Sequence, residues 1–252
     1  MYGNDDGAAA SGKGSGSEKI NDQAMTSITL SIPEALLAIA TQFAAPTPFL
    51  TAGPVYAAAG LFIFPLGPEK EPLIRWGEGA TNDPHSPLFR RFATAGVGIA
   101  CKPSGLLVVD LDIKHPPVDG CRSWAELTRA SGDPDVERAC FDRTALVSTT
   151  SGGLHLWFAN PEGIPGRDNL LPGIDVKAAQ GNCGGFAVAP PTPGYSVLAV
   201  KPPLVVPGWL ALILTHKARP KREERSRGSA QPVDSGGRER LAAALKARKG
   251  AR

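Results

Sequence analysis

Cysteine is scarce in this chain and its spacing is wrong for a metal knuckle. Four occur in 252 residues, at Cys101, Cys121, Cys140 and Cys183, separated by 20, 19 and 43 positions. With no C-x-x-C pair, neither a zinc knuckle nor a thioredoxin-like redox motif is supported, and scattered thiols of this kind suit a reducing cytoplasm. A G-x-x-x-x-G-K-[ST] phosphate loop is also missing, which excludes a P-loop motor within this sequence. Uninterrupted apolar runs are lacking too. Residues 35–68 carry no charge, but Pro46, Pro48 and Pro54 cut them into apolar pieces. Those pieces are about 10 residues long, well short of the roughly 20 that a membrane-spanning helix needs. The N-terminus, Met-Tyr-Gly-Asn-Asp-Asp, has no positive region followed by an apolar core, so no secretory signal is expected.

What is present is an ordinary globular composition, 42% hydrophobic and 20% charged, with 29 Gly and 24 Pro that imply many turns. The length allows one large domain or two small ones. The formal net charge of +3 is unevenly spread. Residues 216–252 hold 12 Lys and Arg against 4 Asp and Glu, net +8, which leaves net −5 on the preceding 215. Residues 1–27 are rich in Gly, Ser, Ala and Asp, have too few large apolar side chains to offset the entropy of ordering and read as a disordered leader. The basic end reads as a linker or tail in which 238–248 could form a short helix with a thin apolar stripe.

Between these ends the apolar pattern predicts alternating short helices and strands. Ser31-Ile-Pro-Glu34 is a helix start, and a second helix is expected from Phe49 or Pro54 to Ala59. Strands are expected at Leu61–Pro65, Gly96–Ala100, Leu106–Ile113, Thr144–Thr149, Leu154–Phe158, Gly173–Lys177, Phe186–Ala189 and Tyr195–Val200. The turn Lys102-Pro-Ser-Gly105 would join two of them into a hairpin, and Pro161–Leu171 reads as loop. Helices are expected near Ser86–Phe92, Arg122–Ala130 and Pro207–Leu214.

The stretch Leu-Leu-Val-Val-Asp-Leu-Asp-Ile, 106–113, carries the first chemistry. Side chains two apart on a strand share a face, so Asp110 and Asp112 project together. Two carboxylates so placed are costly to keep ionised unless a divalent cation neutralises them, and an all-oxygen donor set suits Mg²⁺ or Mn²⁺ better than zinc. A strand running into solvent with hydrated acids is the alternative. His155 shares a face with Trp157 on the strand that follows Thr149-Thr-Ser-Gly-Gly153. That turn offers hydroxyls and glycine N–H groups, including those of Ser151 and Gly152, suited to a phosphate. A plain hairpin turn with a structural histidine explains the same residues. Asp175 and Lys177 form a further i, i+2 pair. Alone it could be a surface ion pair, but with Asp110 and Asp112 it makes three acids, the number that a two-metal phosphoryl-transfer site commonly uses.

The ordered succession of Phe-Ile-Phe-Pro-Leu (62–66), Ala-Thr-Asn-Asp-Pro (80–84), the 97–112 segment ending in Asp-Leu-Asp, Thr-Ser-Gly-Gly-Leu-His-Leu-Trp-Phe (150–158), Gly-Ile-Asp-Val-Lys (173–177) and Gly-Gly-Phe-Ala-Val-Ala-Pro-Pro (184–191) resembles the bifunctional DNA primase/polymerase domain. These prim-pol domains belong to the archaeo-eukaryotic primase superfamily of plasmid, phage and bacterial replication proteins. The resemblance spans about residues 50–214, and it implies a catalytic domain over 28–215. It also implies an α+β fold with a mostly antiparallel, RRM-like catalytic sheet flanked by helices and a smaller N-terminal α/β lobe.

The activity implied is template-directed nucleotidyl transfer in DNA replication. Asp110, Asp112 and Asp175 would bind the catalytic Mg²⁺ or Mn²⁺. His155 would contact the phosphates of the incoming nucleotide, aided by Ser151, Gly152 and Lys177. The partners implied are a single-stranded DNA template and dNTP or NTP, with a separate helicase or replication initiator for any unwinding, and no membrane. Two departures stand out: Lys177 replaces the arginine usual after the third acid, losing a bidentate fork, and Cys101 stands where glycine is common. A D-x-D glycosyltransferase is disfavoured because the nucleotide-sugar α/β domain it requires is not evident ahead of Asp110. A binding module with vestigial acids and a working basic tail is the non-enzymatic alternative.

Overall fold

A reciprocal cap starts the first helix. The Ser31 hydroxyl accepts from the Glu34 N–H at 3.4 Å while the Glu34 carboxylate accepts the Ser31 N–H at 2.7 Å. This satisfies two N–H groups that a helix N-terminus leaves without partners. The resulting helix is α1 (Ile32–Ala40), and α2 (Pro48–Ala58) follows with Pro54 inside it. The structure, a computed structural model, describes residues 30–41, 46–114, 117–132 and 136–216. The expected leader, 1–27, and the basic tail beyond His216 lie outside the described residues.

The remaining elements, in chain order, begin with β1 (Ile63–Leu66), α3 (Trp76–Gly79), α4 (Leu88–Arg91), β2 (Gly96–Ala100) and β3 (Leu106–Leu111). Next come α5 (Gly120–Ala130), α6 (Val136–Arg143), β4 (Ala145–Ser148), β5 (Leu154–Ala159), β6 (Arg167–Leu171) and β7 (Ile174–Lys177). The last are β8 (Phe186–Ala189), β9 (Ser196–Ala199), β10 (Leu204–Val205) and α7 (Gly208–Thr215). They build two sheets. The larger has seven strands in the order β6-β7-β3-β5-β4-β9, with β10 added parallel to β5; its other pairings are antiparallel. The smaller is antiparallel, in the order β1-β2-β8. The fold is α+β.

Alternation along the strands of the large sheet divides its side chains between two cores. Leu107, Val109, Leu111, Leu156, Phe158, Ile174 and Val176 pack with Trp124 and Leu127 of α5 and with Trp209, Leu210 and Ile213 of α7. On the opposite face Val108, Ala145, Val147 and Trp157 join Leu36 of α1, Phe49 and Tyr56 of α2, and the small sheet through Ile63, Phe64, Val97 and Ile99. Fully burying one such side chain is worth about 1.5–3 kcal/mol, so this second core fixes the small lobe against the large sheet.

Three expectations are corrected here. The segments before and after Lys102–Gly105 do not form a hairpin: β2 pairs with β1 and β8, β3 with β5 and β7. The turn passes the chain from one sheet to the other. The segment expected to be loop, 161–171, contains β6, a polar edge strand whose pairing with β7 is irregular and whose pattern lacks alternation. The smaller lobe also differs in composition from an N-terminal unit, because β8, from late in the chain, completes its sheet.

Candidate active site

The register of three strands decides the site. Asp110 on β3 stands opposite Asp175 on β7 and, on its other side, opposite His155 on β5. Directly opposed residues on antiparallel strands share a face, so Asp175, Asp110 and His155 form one row across the middle of the sheet. One rung further along β3 lies Val108, flanked by Lys177 and Trp157. The row therefore sits where the core shared with the small lobe gives way to polar side chains.

Each member is held differently. His155 is buried, its Nε2 3.4 Å from Asp110 Oδ1, within ion-pair range but outside hydrogen-bond geometry. Asp110 Oδ1 and His155 Nδ1 are buried without a hydrogen-bond partner among the described residues. The imidazole lies 5.6 Å, ring centre to ring centre, from Tyr195. One carboxylate oxygen of Asp175 accepts the Asn169 N–H at 2.7 Å, and the other lies 3.2 Å from Lys177 Nζ. Lys177 also reaches Asp168 at 2.6 Å. Burial pulls the Lys177 ammonium towards neutrality, but the hydrogen bond to Asp168 and the charges of Asp175 and Asp168 outweigh it and leave its pKa above the ordinary lysine value.

Asp112 lies one residue beyond β3, and its backbone is fixed on both sides. Its N–H donates to the Gly173 carbonyl and its carbonyl accepts from the Gly120 N–H, both at 2.8 Å. The contact is too close for a side chain: a Cβ on Gly173 would lie 2.7 Å from the Gly120 nitrogen and 2.8 Å from the Asp112 oxygen, and Gly173 has φ 76°. The Asp112 side chain meets Lys114 at 2.8 Å. The Lys114 pKa is raised, first by that hydrogen bond, and the charges of Asp112, Asp175 and Asp110 all act in the same direction. All three acids thus bear on one ammonium.

The hairpin before His155 is tied by the Thr149 N–H to Gly153 carbonyl and the Gly152 N–H to Thr149 carbonyl bonds, both 3.0 Å. The Thr149 and Ser151 hydroxyls are 3.2 Å apart, and Ser151 and Gly152 are exposed. The row of Asp110, Asp175 and His155, with Lys177 one rung behind Asp175, is thus brought together on one sheet face. Asp112 is turned to Lys114, and among the described residues no group of three or more His, Cys, Asp or Glu is gathered closely enough to hold a metal ion as it stands.

Sequence reasoning missed Asp168, Lys114 and the Gly120–Gly173 contact. Asp168 is on the unrecognised edge strand, and a glycine's neighbour across a fold leaves no local signal. The Lys114 separation from Asp112, two residues on and just past the end of the expected strand, was the one cue to be had.

An acidic row in the middle of an antiparallel sheet, under a second lobe, defines the class of α+β domains that carry their chemistry on a sheet face. Within that class the chain belongs to the bifunctional DNA primase/polymerase N-terminal family, whose model matches residues 54–209. Membership implies primase/polymerase-type nucleotidyl transfer with DNA and nucleotides as substrates, and the family is typically dependent on divalent metal. No curated protein matches the chain. Among the described residues no helix is long and apolar enough to cross a membrane.

Proposed function

We propose that this chain extends or initiates DNA chains by template-directed nucleotidyl transfer, with Asp110, Asp112 and Asp175 as the metal-binding acids. The observation that carries the reading is the register that sets Asp110 opposite both Asp175 and His155, inside the family-matched region. The donor set fits a hard divalent cation. Asp110 Oδ1 is a buried acceptor with no hydrogen-bond partner among the described residues, and carboxylate oxygens are the ligands that Mg²⁺ and Mn²⁺ prefer. When bound there, the metal supplies Lewis-acid chemistry, easing deprotonation of the attacking 3′-hydroxyl and neutralising charge on the departing pyrophosphate.

The chain's own residues do the rest. Lys114 and Lys177 neutralise the acids in the free protein and must yield part of that contact on loading. His155, Lys177 and the Ser151–Gly152 turn hold the nucleotide's phosphates. Because Lys177 is a point charge rather than a fork, it tolerates a change of partner from Asp168 to phosphate. The Trp157 and Val108 core beside the row keeps the strands in register while this happens.

The test is incorporation of labelled dNTP and NTP on single-stranded template, with and without primer, in Mg²⁺, Mn²⁺ and EDTA. Metal-dependent synthesis is expected. Template binding that survives EDTA, with no synthesis on any template, would reassign the chain as a binding module.

A further inference from the structure

Lys70 occupies a backbone position that ordinarily favours another residue. It ends a three-residue loop, 68–70, closed by Gly67 N–H to Glu71 carbonyl at 2.8 Å and by Lys70 N–H to Gly67 carbonyl at 3.0 Å, with Leu66 bridged to Pro72. In such loops a turn is followed by a left-handed residue, a conformation that glycine adopts without steric cost. Lys70 holds it at φ 66°. A lysine side chain at this position therefore sits against the local backbone preference.

That side chain leads from the small lobe to the site on the large sheet. Lys70 Nζ lies 5.1 Å from the centre of the Tyr195 ring, and that ring also meets His155, 5.6 Å away. Tyr195 is placed there by its predecessor: Gly194, at φ 85°, packs so closely that a Cβ would lie 2.6 Å from Thr150 Oγ1 in the hairpin turn before His155. The exposed Lys70 ammonium thus lies on the ring of a residue that meets His155 and directly follows the glycine packed on the hairpin turn, the two elements assigned to the phosphates. The other lysines of the site are engaged, Lys114 by Asp112 and Lys177 by Asp168 and Asp175. Lys70 has no carboxylate within ion-pair distance among the described residues, and its contact with an aromatic face is weaker than a charge-assisted bond to phosphate.

We propose that Lys70 is a phosphate-binding residue contributed by the small lobe, its ammonium contacting the triphosphate of the incoming nucleotide opposite His155. This rests on the nucleotidyl-transfer reading above.

The experiment compares wild type, Lys70→Gly and Lys70→Arg as full chains, by calorimetric titration with a non-hydrolysable dNTP analogue in Mn²⁺ and by thermal melting. Glycine relieves the left-handed backbone, so Lys70→Gly is expected to melt no lower than wild type yet to bind the analogue about tenfold or more weakly, while Lys70→Arg stays within about threefold. Lys70→Gly binding within about twofold of a wild type that binds overturns the Lys70 assignment and leaves the nucleotidyl-transfer reading standing. A Lys70→Gly melting temperature clearly below wild type also overturns it, marking Lys70 as a structural clasp between the lobes. A wild type that does not bind the analogue overturns both.

Discussion

Asp110 and Asp175 face each other directly across the antiparallel pairing of β3 and β7. Like charges directly opposed on a sheet are destabilising, and one oxygen of Asp110 has no hydrogen bond among the described residues to offset its burial. Asp110→Asn and Asp175→Asn should therefore each reduce nucleotide incorporation by about 100-fold or more, and Asp110→Asn should leave stability equal or higher by about 0.2–1 kcal/mol, whereas Asp175→Asn also gives up the charge that holds Lys177. Activity of both variants within about tenfold of wild type would sink the assignment of the acids.

His155 is only 3% exposed, so its replacement tests packing as well as binding. Assigned to phosphates and not to proton transfer, it should affect ground-state nucleotide binding at least as much as turnover. His155→Ala is expected to raise the nucleotide KM by at least the factor by which it lowers kcat. The contrary result is a lowered melting temperature with kinetically normal residual activity.

Gly173 and Gly120 clamp the backbone of Asp112, and Gly173→Ala should disturb both stability and the acid. Gly105 provides the control, since it has φ 61° but a Cβ there would meet nothing within 4 Å. Both substitutions meet the left-handed penalty, of order 1–2 kcal/mol; Gly173→Ala should cost about 1–3 kcal/mol more and also reduce incorporation. Equal urea midpoints for the two variants would show that the close contact around Asp112 is readily relaxed.

Cys101 is fully buried, and burial pushes its thiol up to about 12 from 9.0, only partly opposed by the charge of Lys177. The folded chain therefore retains a proton that the unfolded chain releases above about pH 9. The neutral thiol's contribution is present in full below the unfolded pKa and is lost as pH rises towards the folded one. Between these values stability should fall by up to about 1.4 kcal/mol per pH unit on account of this group. Cys101→Ala should flatten the decline in denaturant midpoint between about pH 9 and 11 relative to wild type; parallel curves would show that Cys101 ionises freely in the folded state.

The features legible in the sequence were those written in short windows. The spacing of Asp110 and Asp112, the glycine turn before His155, the Ser31–Glu34 cap and the apolar faces of α5 and α7 each depend on residues a few positions apart. Side-chain direction along a strand or helix follows from local geometry alone. Family membership was legible for a related reason, since it rests on the order of several such short motifs. The edge strand β6 was not, because Arg167, Asp168 and Asn169 make no alternating pattern and an edge strand is not obliged to bury one.

The sequence by itself determined that a strand carrying Asp110, a histidine strand and an Asp-x-Lys strand exist and which residues within each share a face. Only the tertiary structure decided that β3 lies between β5 and β7, so that Asp110 has Asp175 on one flank and His155 on the other. It alone decided that β2 leaves β3 for β8, that Asp168 competes for Lys177, and that Lys70 reaches Tyr195 from the opposite lobe. The reason is physical: a strand's own residues specify the faces it must bury, whereas its neighbours are chosen by which distant faces close both cores together, and that choice leaves no mark in any single stretch of chain.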